Sequence, residues 1–211
     1  ESSTILPVVP MFHVNAWGTP YFGLIAGVKL VFPGPALDGE NLSNLIEDEK
    51  VTDAWGVPTV WLGLLAHKRQ KGETFSTLKR TLIGGSALPK AMIQEFKEKH
   101  NVEAIQGWGM TEMSPLGTVA TPRPSQRGGD WEKELKLRGT QGRLMFGVEM
   151  KIVDAEGNDL PHDGESQGEL LVRGNAVISG YYENEEATKK AIDKDGWFHT
   201  GDVSVISPDG F

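Results

Sequence analysis

The run Gln106-Gly107-Trp108-Gly109-Met110-Thr111-Glu112 sets a flat aromatic ring between two glycines and follows it with a hydroxyl and a carboxylate. Glycine lets a backbone approach a ligand closely and adopt angles that a side chain forbids. Trp108 offers a face for a heterocyclic base, Thr111 a hydroxyl for a phosphate, and Glu112 a hard oxygen of the kind Mg²⁺ prefers. These seven residues hold the chemistry of a nucleotide–metal corner, although Gly-x-Thr-Glu also occurs in ordinary turns. Three other stretches have comparable content. Gly84-Gly85-Ser86-Ala87-Leu88-Pro89 can take a planar ring or a phosphate on its backbone, or can simply join a strand to a helix. Within Gly196-Trp197-Phe198-His199-Thr200-Gly201-Asp202, Asp202 can accept from two vicinal hydroxyls such as a ribose presents. A capped turn is the alternative there, and His199 reads as structural. Pro10-Met11-Phe12-His13-Val14-Asn15-Ala16-Trp17 is apolar and aromatic with a His and an Asn embedded, readable as core packing with two hydrogen-bonded polar side chains.

The elements that must position these residues alternate between strand and helix. Strands are expected at residues 5–9, 29–32, 51–55, 78–83 and 102–106. Helices are expected at 17–26, ended by Gly27, at 42–49 with Asp38 or Asn41 as cap, at 59–67, and at 90–100 with Pro89 in the first turn. Such alternation implies a mostly parallel sheet with helices on its faces. Ligands usually bind at the carboxyl ends of such strands, where both Gly84-Gly85-Ser86 and the loop 107–112 are expected. Residues 121–139 are polar and rich in Pro and Gly, with a short charged helix near 131–137. Beyond Gly142 the pattern turns β-rich, with strands expected at 150–154, 168–173 and 203–206 and a short helix at 187–192. The boundary between the two regions is placed near 140.

With 211 residues, 38% hydrophobic and 24% charged, the chain suits a soluble globular protein. Its net charge of −8, from 21 basic and 29 acidic residues, argues against a nucleic-acid surface. One small anion can still be held by backbone amides. The absence of cysteine excludes thiolate metal sites, disulfides and Cys nucleophiles, and fits a cytoplasmic setting. The most apolar stretch, 11–32, is interrupted by His13, Asn15, Pro20 and Lys29, so no transmembrane segment is expected.

In this order and spacing, the four stretches resemble the adenylate-forming superfamily of acyl-CoA synthetases, peptide-synthetase adenylation domains and luciferases. The resemblance covers nearly the whole chain. Residues 10–17, with Gly180-Tyr181-Tyr182-Glu183-Asn184 and Glu186-Ala187-Thr188, are similar to the fatty acyl-CoA synthetase version. The implied fold is part of a large N-terminal domain: an α/β subdomain over 1–139, then a smaller β-rich, barrel-like subdomain over 140–211. The implied reaction joins a carboxylic acid to coenzyme A at the expense of ATP. Carboxylate attack on the α-phosphate gives an acyl-adenylate and pyrophosphate, and the CoA thiol then gives a thioester and AMP.

By the same resemblance Trp108 stacks on adenine, with Gly85, Ser86 and Ala87 against the other face and Gln106, Gly107, Gly109 and Met110 nearby. Thr111 contacts the α-phosphate, Glu112 holds Mg²⁺ and Asp202 takes the ribose hydroxyls. His13 and Trp17 border the acyl tunnel, Trp17 as its gate, and Val57, Pro58 and Thr59 line the same pocket. Many members carry Tyr where this chain has Trp108, and usually Pro where it has Arg143. The resemblance places a phosphate-gripping Pro-Lys-Gly loop ahead of residue 1, and a ribose-binding Arg and a C-terminal domain with its catalytic Lys beyond Phe211. The chain is therefore expected to be a central fragment, close to inactive by itself, with an open sheet edge that favours association, a homodimer being one form. The apolar segment 11–17 favours medium- or long-chain fatty acids; aryl acids or a short thioether acid also fit. A domain that loads a carrier protein and a non-catalytic adenylate-binding module are the alternatives.

Overall fold

The computed structural model describes residues 3–211. Strand β1 (Thr4–Pro7) is followed by a single helical turn α1 (Val14–Trp17), helix α2 (Thr19–Ala26) and a short strand β2 (Lys29–Leu30). Next come α3 (Gly39–Asp48), β3 (Asp53–Gly56), α4 (Pro58–Lys71), β4 (Arg80–Ile83), α5 (Lys90–His100) and β5 (Glu103–Gly109). A 3₁₀ turn (Thr111–Met113), β6 (Leu116–Val119), α6 (Trp131–Arg138), β7 (Arg143–Leu144), β8 (Val148–Val153), β9 (Gly168–Gly174), α7 (Glu185–Ala191) and β10 (Phe198–Ser204) complete the chain.

Seven strands form one sheet in the order β2-β1-β3-β4-β5-β6-β7. The pairs from β2 to β5 are parallel, and β6 and β7 add antiparallel. Strands β10-β9-β8 make a second, antiparallel sheet. Helix caps follow local chemistry. Asp38 starts α3 by accepting from the Asn41 N–H, and Gly72 and Asn101 end α4 and α5 in the left-handed conformation. Leu42, Ile46, Trp61, Leu64, Ile93 and Phe96 bury the inner faces of α3, α4 and α5 in one core against the large sheet. Met113, Val148, Ile152, Leu170, Val172 and Phe198 form a second core under the small sheet. Where α6 meets the large sheet, Arg138 is buried and bridges Glu134 at 2.8 Å and Glu103 at 2.9 Å.

Several elements differ from the sequence expectation. Trp17 does not begin a helix: Val14, Asn15, Ala16 and Trp17 all have φ between 47° and 55°, a left-handed turn, and α2 starts only after Gly18. Each such non-glycine residue costs about 1–3 kcal/mol, so neighbours must hold the turn. Ala16 is fully buried, its N–H donates to the Pro10 carbonyl, and the Thr19 hydroxyl donates to the Ala16 carbonyl. Strand β5 does not stop at Gln106, because Gly107 and Trp108 pair with Val119 and Thr118 of β6, a strand absent from the expectation. The segment expected as a loop at 107–112 is therefore half strand. β7, beyond residue 140, still belongs to the large sheet, and the small sheet starts at Val148. The final strand lies at 198–204, with a bulge between His199 and Val203, not at 203–206. Helix α7 starts earlier than expected, at Glu185, because the Asn184 side chain caps it.

Candidate functional site

A cavity of about 730 Å³ opens where the two sheets meet. Gly85, Ser86 and Ala87 reach it from the β4–α5 turn, Gln106, Gly107, Trp108 and Gly109 from β5, and Asp202 from β10. Residues 94 apart in the chain thus face one space, and one hydrogen bond joins them: the Trp108 indole N–H donates to Asp202 Oδ2 at 3.0 Å. The bulge in β10 sets Asp202 off the regular pairing with β9, so its side chain turns to the cavity and not to the adjacent strand.

The turn after β4 is held by Gln106. Its buried carboxamide accepts from the Leu88 N–H at 2.5 Å and donates to the carbonyls of Gly107 at 3.0 Å and Ser86 at 3.4 Å. These bonds use the side chain to set the 86–88 backbone. Space dictates glycine at 109, and the backbone angle dictates it at 85. A Cβ on Gly109 would stand 1.9 Å from the Pro115 carbonyl oxygen, and Gly85, at φ +79°, lies where a Cβ would meet Val57 Cγ1 at 3.2 Å. A Cβ on Gly84 would come within 3.3 Å of the Trp17 ring, so Trp17 and Val57 both lie beside this turn. Pro58 is the buried first residue of α4, while Thr59 and His13 are exposed.

Met110, Thr111 and Glu112 follow β5 out of the cavity wall. Thr111 is exposed on the 3₁₀ turn and Glu112 is half-buried. Tyr181 O–H donates to Glu112 Oε1 at 3.0 Å, and burial, reinforced by that bond, pushes the Tyr181 phenol above its ordinary pKa, so it remains a donor. Among the described residues no three His, Asp or Glu side chains cluster as a metal cage. A single carboxylate still suits Mg²⁺, which takes one or two protein carboxylates and completes its shell with phosphates and water. His199 Nδ1 lies 3.0 Å from Glu169 Oε2 on the neighbouring strand.

The cavity also has walls that motif reading missed: Thr118 of β6, Gln141 and Gly142 before β7, and His162 between β8 and β9. β6 carries no apolar–polar alternation in Leu116-Gly117-Thr118-Val119, and Gly117 lowers its strand propensity further.

The family described as AMP-binding enzyme matches residues 1–182. The chain belongs to that family. As an AMP-binding enzyme chain it is 52% identical over 207 residues to a 3-methylmercaptopropionyl-CoA ligase of Ruegeria lacuscaerulensis, covering 98% of this chain and 38% of that protein. It is equally 52% identical over 208 residues to a medium-chain-fatty-acid–CoA ligase of Ectopseudomonas oleovorans, covering 99% of this chain and 38% of the relative. The chain therefore spans less than half the length of these relatives. The N-terminal domain of FACL13 from Mycobacterium tuberculosis superposes with a TM-score of 0.85 at 27% identity, over 99% of this chain and 50% of that one. The mixed sheet with its small antiparallel companion is thus the architecture of that domain. No helix among the described residues is long and apolar enough to cross a membrane.

Proposed function

We propose that this chain forms the adenylate- and acyl-binding part of an AMP-forming acyl-CoA synthetase acting on fatty acids. The observation that carries the reading is the single cavity at the sheet junction, into which Trp108 and Asp202 converge, joined at 3.0 Å. Trp108 stacks on adenine, and the Gly85-Ser86-Ala87 backbone, locked by Gln106, closes the opposite side. The Asp202 oxygen not engaged by Trp108 is free for a ribose hydroxyl. Thr111 serves the α-phosphate, and Glu112 would hold Mg²⁺ with its free oxygen. A cation held by Glu112 would supply positive charge beside the phosphates, while Thr111, Trp108 and Asp202 hold the nucleotide in position for attack by the acyl carboxylate. Trp17, Val57 and Pro58 border the acyl group, with His13 and Thr59 at its outer end. ATP, a carboxylic acid and coenzyme A are the substrates on this reading.

A second acyl class is favoured by one specific observation: the 3-methylmercaptopropionyl-CoA ligase and the medium-chain ligase are equally similar to this chain. A short thioether acid would occupy the same pocket. The test is calorimetric titration with unreactive decanoyl-, 3-(methylthio)propanoyl- and benzoyl-sulfamoyl-adenosine, with Asp202→Ala alongside. The decanoyl form should bind most tightly, and Asp202→Ala should weaken it by about tenfold or more, as expected for a lost hydrogen bond to a charged group. Tighter binding of the thioether form moves the assignment to that acid. Binding of all three unaffected by Asp202→Ala removes the ribose role.

A further inference from the structure

Glu112 is held from a distance. The group that orients it comes from the region of the small sheet, 69 residues along the chain. We infer that Tyr181 is a positioning residue for Glu112, its hydroxyl fixing one carboxylate oxygen so that the other is presented to a divalent cation. The inference rests on Glu112 as the cation ligand and adds the group that sets its geometry.

Two bonds tie Glu112 to the same segment. Tyr181 O–H donates to its Oε1 at 3.0 Å, and the Ile178 N–H donates to its carbonyl at 2.9 Å. That segment is fixed in turn. The Tyr181 N–H donates to the Thr188 hydroxyl at 2.9 Å, and that hydroxyl donates to the Asn184 carbonyl at 2.9 Å. Asn184 caps α7 by accepting from the Ala187 N–H at 3.0 Å. Gly180 lets the chain pass close to α7, since a Cβ there would lie 3.0 Å from Thr188 Cγ2. The Tyr181 ring packs on the second core, whereas Tyr182, next in sequence, is 89% exposed. A glutamate side chain has three rotatable bonds, and ordering it only when the cation arrives would cost rotamer entropy at that moment. Outer hydrogen bonds to ligating carboxylates have this ordering role in metal sites generally, and removing them typically lowers affinity or activity about 10–100-fold.

The experiment follows Mn²⁺ by electron paramagnetic resonance, in the full-length gene product saturated with α,β-methylene-ATP. The variants are Tyr181→Phe, Tyr182→Phe and Glu112→Gln, and each is also titrated with decanoyl-sulfamoyl-adenosine, which needs no metal, and melted. Tyr181→Phe should raise the Mn²⁺ dissociation constant by about tenfold, with adenylate affinity unchanged and the melting temperature lowered no more than the loss of one hydrogen bond accounts for, and Tyr182→Phe should behave as the parent. The inference is overturned if Glu112→Gln loses Mn²⁺ while Tyr181→Phe retains it. It is also overturned if Tyr181→Phe weakens Mn²⁺ and adenylate alike, which would mark a general packing role. Unchanged Mn²⁺ binding in Glu112→Gln removes the cation role of Glu112 itself, and the positioning role falls with it.

Discussion

Around the large sheet, Leu42, Ile46, Trp61, Leu64 and Phe96 are wholly enclosed, and Trp61 and Phe96 meet edge to face at 6.5 Å. Around the small sheet, a short set of buried residues is ringed by half-buried ones, among them Trp108, Met110, Met150, Tyr181 and Ile206. The first region has the larger apolar core; the second has a smaller one and is tied to the first by directional bonds: Trp108 of β5 to Asp202 of β10, and, from the segment after β9, the Tyr181 hydroxyl and the Ile178 N–H to Glu112 on the 3₁₀ turn after β5. The difference assigns labour. A rigid sheet presents the β4–α5 turn and β5, while a more lightly packed sheet brings up Asp202 and Tyr181, whose placement depends on a few directional bonds. Regions with fewer buried apolar contacts open at lower free energy, so ligand binding should tighten the second region more than the first.

The largest effect should come from core truncation. Phe96→Ala is expected to cost about 4 kcal/mol in urea unfolding, and Phe198→Ala, whose half-buried neighbours can collapse into the space, about 2–3 kcal/mol. Equal losses would break the contrast between the two cores.

A pH effect of intermediate size should map to the first region alone. His100 is buried against Phe75 and Phe96, with Nδ1 3.2 Å from the Thr74 hydroxyl and no partner for Nε2. Burial lowers its pKa, Glu95 opposes the shift, and Lys68, Lys99 and Arg69 add to it. The unfolded chain therefore binds a proton at about pH 6.5 while the folded chain resists it. The stabilisation is complete above that pH and is lost as pH falls below it toward the folded value. Urea midpoints measured from pH 8 to 5.5 should decline in the parent, and His100→Gln should flatten the decline; an unchanged slope would show that other groups carry it.

The smallest effect sharpens the link between the sheets. Trp108→Phe keeps a stacking face but removes the N–H that meets Asp202. Affinity for decanoyl-sulfamoyl-adenosine should fall about 3–10-fold, the worth of one such bond. No change would mean that Asp202 is held well enough by its own strand.

Much of the large-sheet region was legible because its signals are local. Helix α5 lies at the expected residues 90–100, Asp38 caps α3, and Gly27 ends α2, each set by neighbours within one turn of chain. The left-handed turn at 14–17 was not legible, because of its four residues only Asn15 is of a type that readily takes positive φ, and Val14 and Trp17 resist it. Their conformation is imposed by the bonds from Pro10 and Thr19 and by the burial of Ala16. Strand β6 was hidden for a related reason, since Gly107 and Gly109 lower strand propensity on its partner and only the pairing itself reveals it.

The sequence by itself determined the membership of the chain in its family, the alternation of strand and helix, and the residue types here proposed to meet a nucleotide, because these rest on side-chain chemistry and short-range spacing. Tertiary structure alone decided which of those residues share a cavity. Gln106 is spent on the 86–88 backbone, Asp202 is joined to Trp108 across 94 residues, and Tyr181, not Tyr182, reaches Glu112. Such long-range pairings depend on the packing of two sheets and the bulge of β10, which no local pattern encodes.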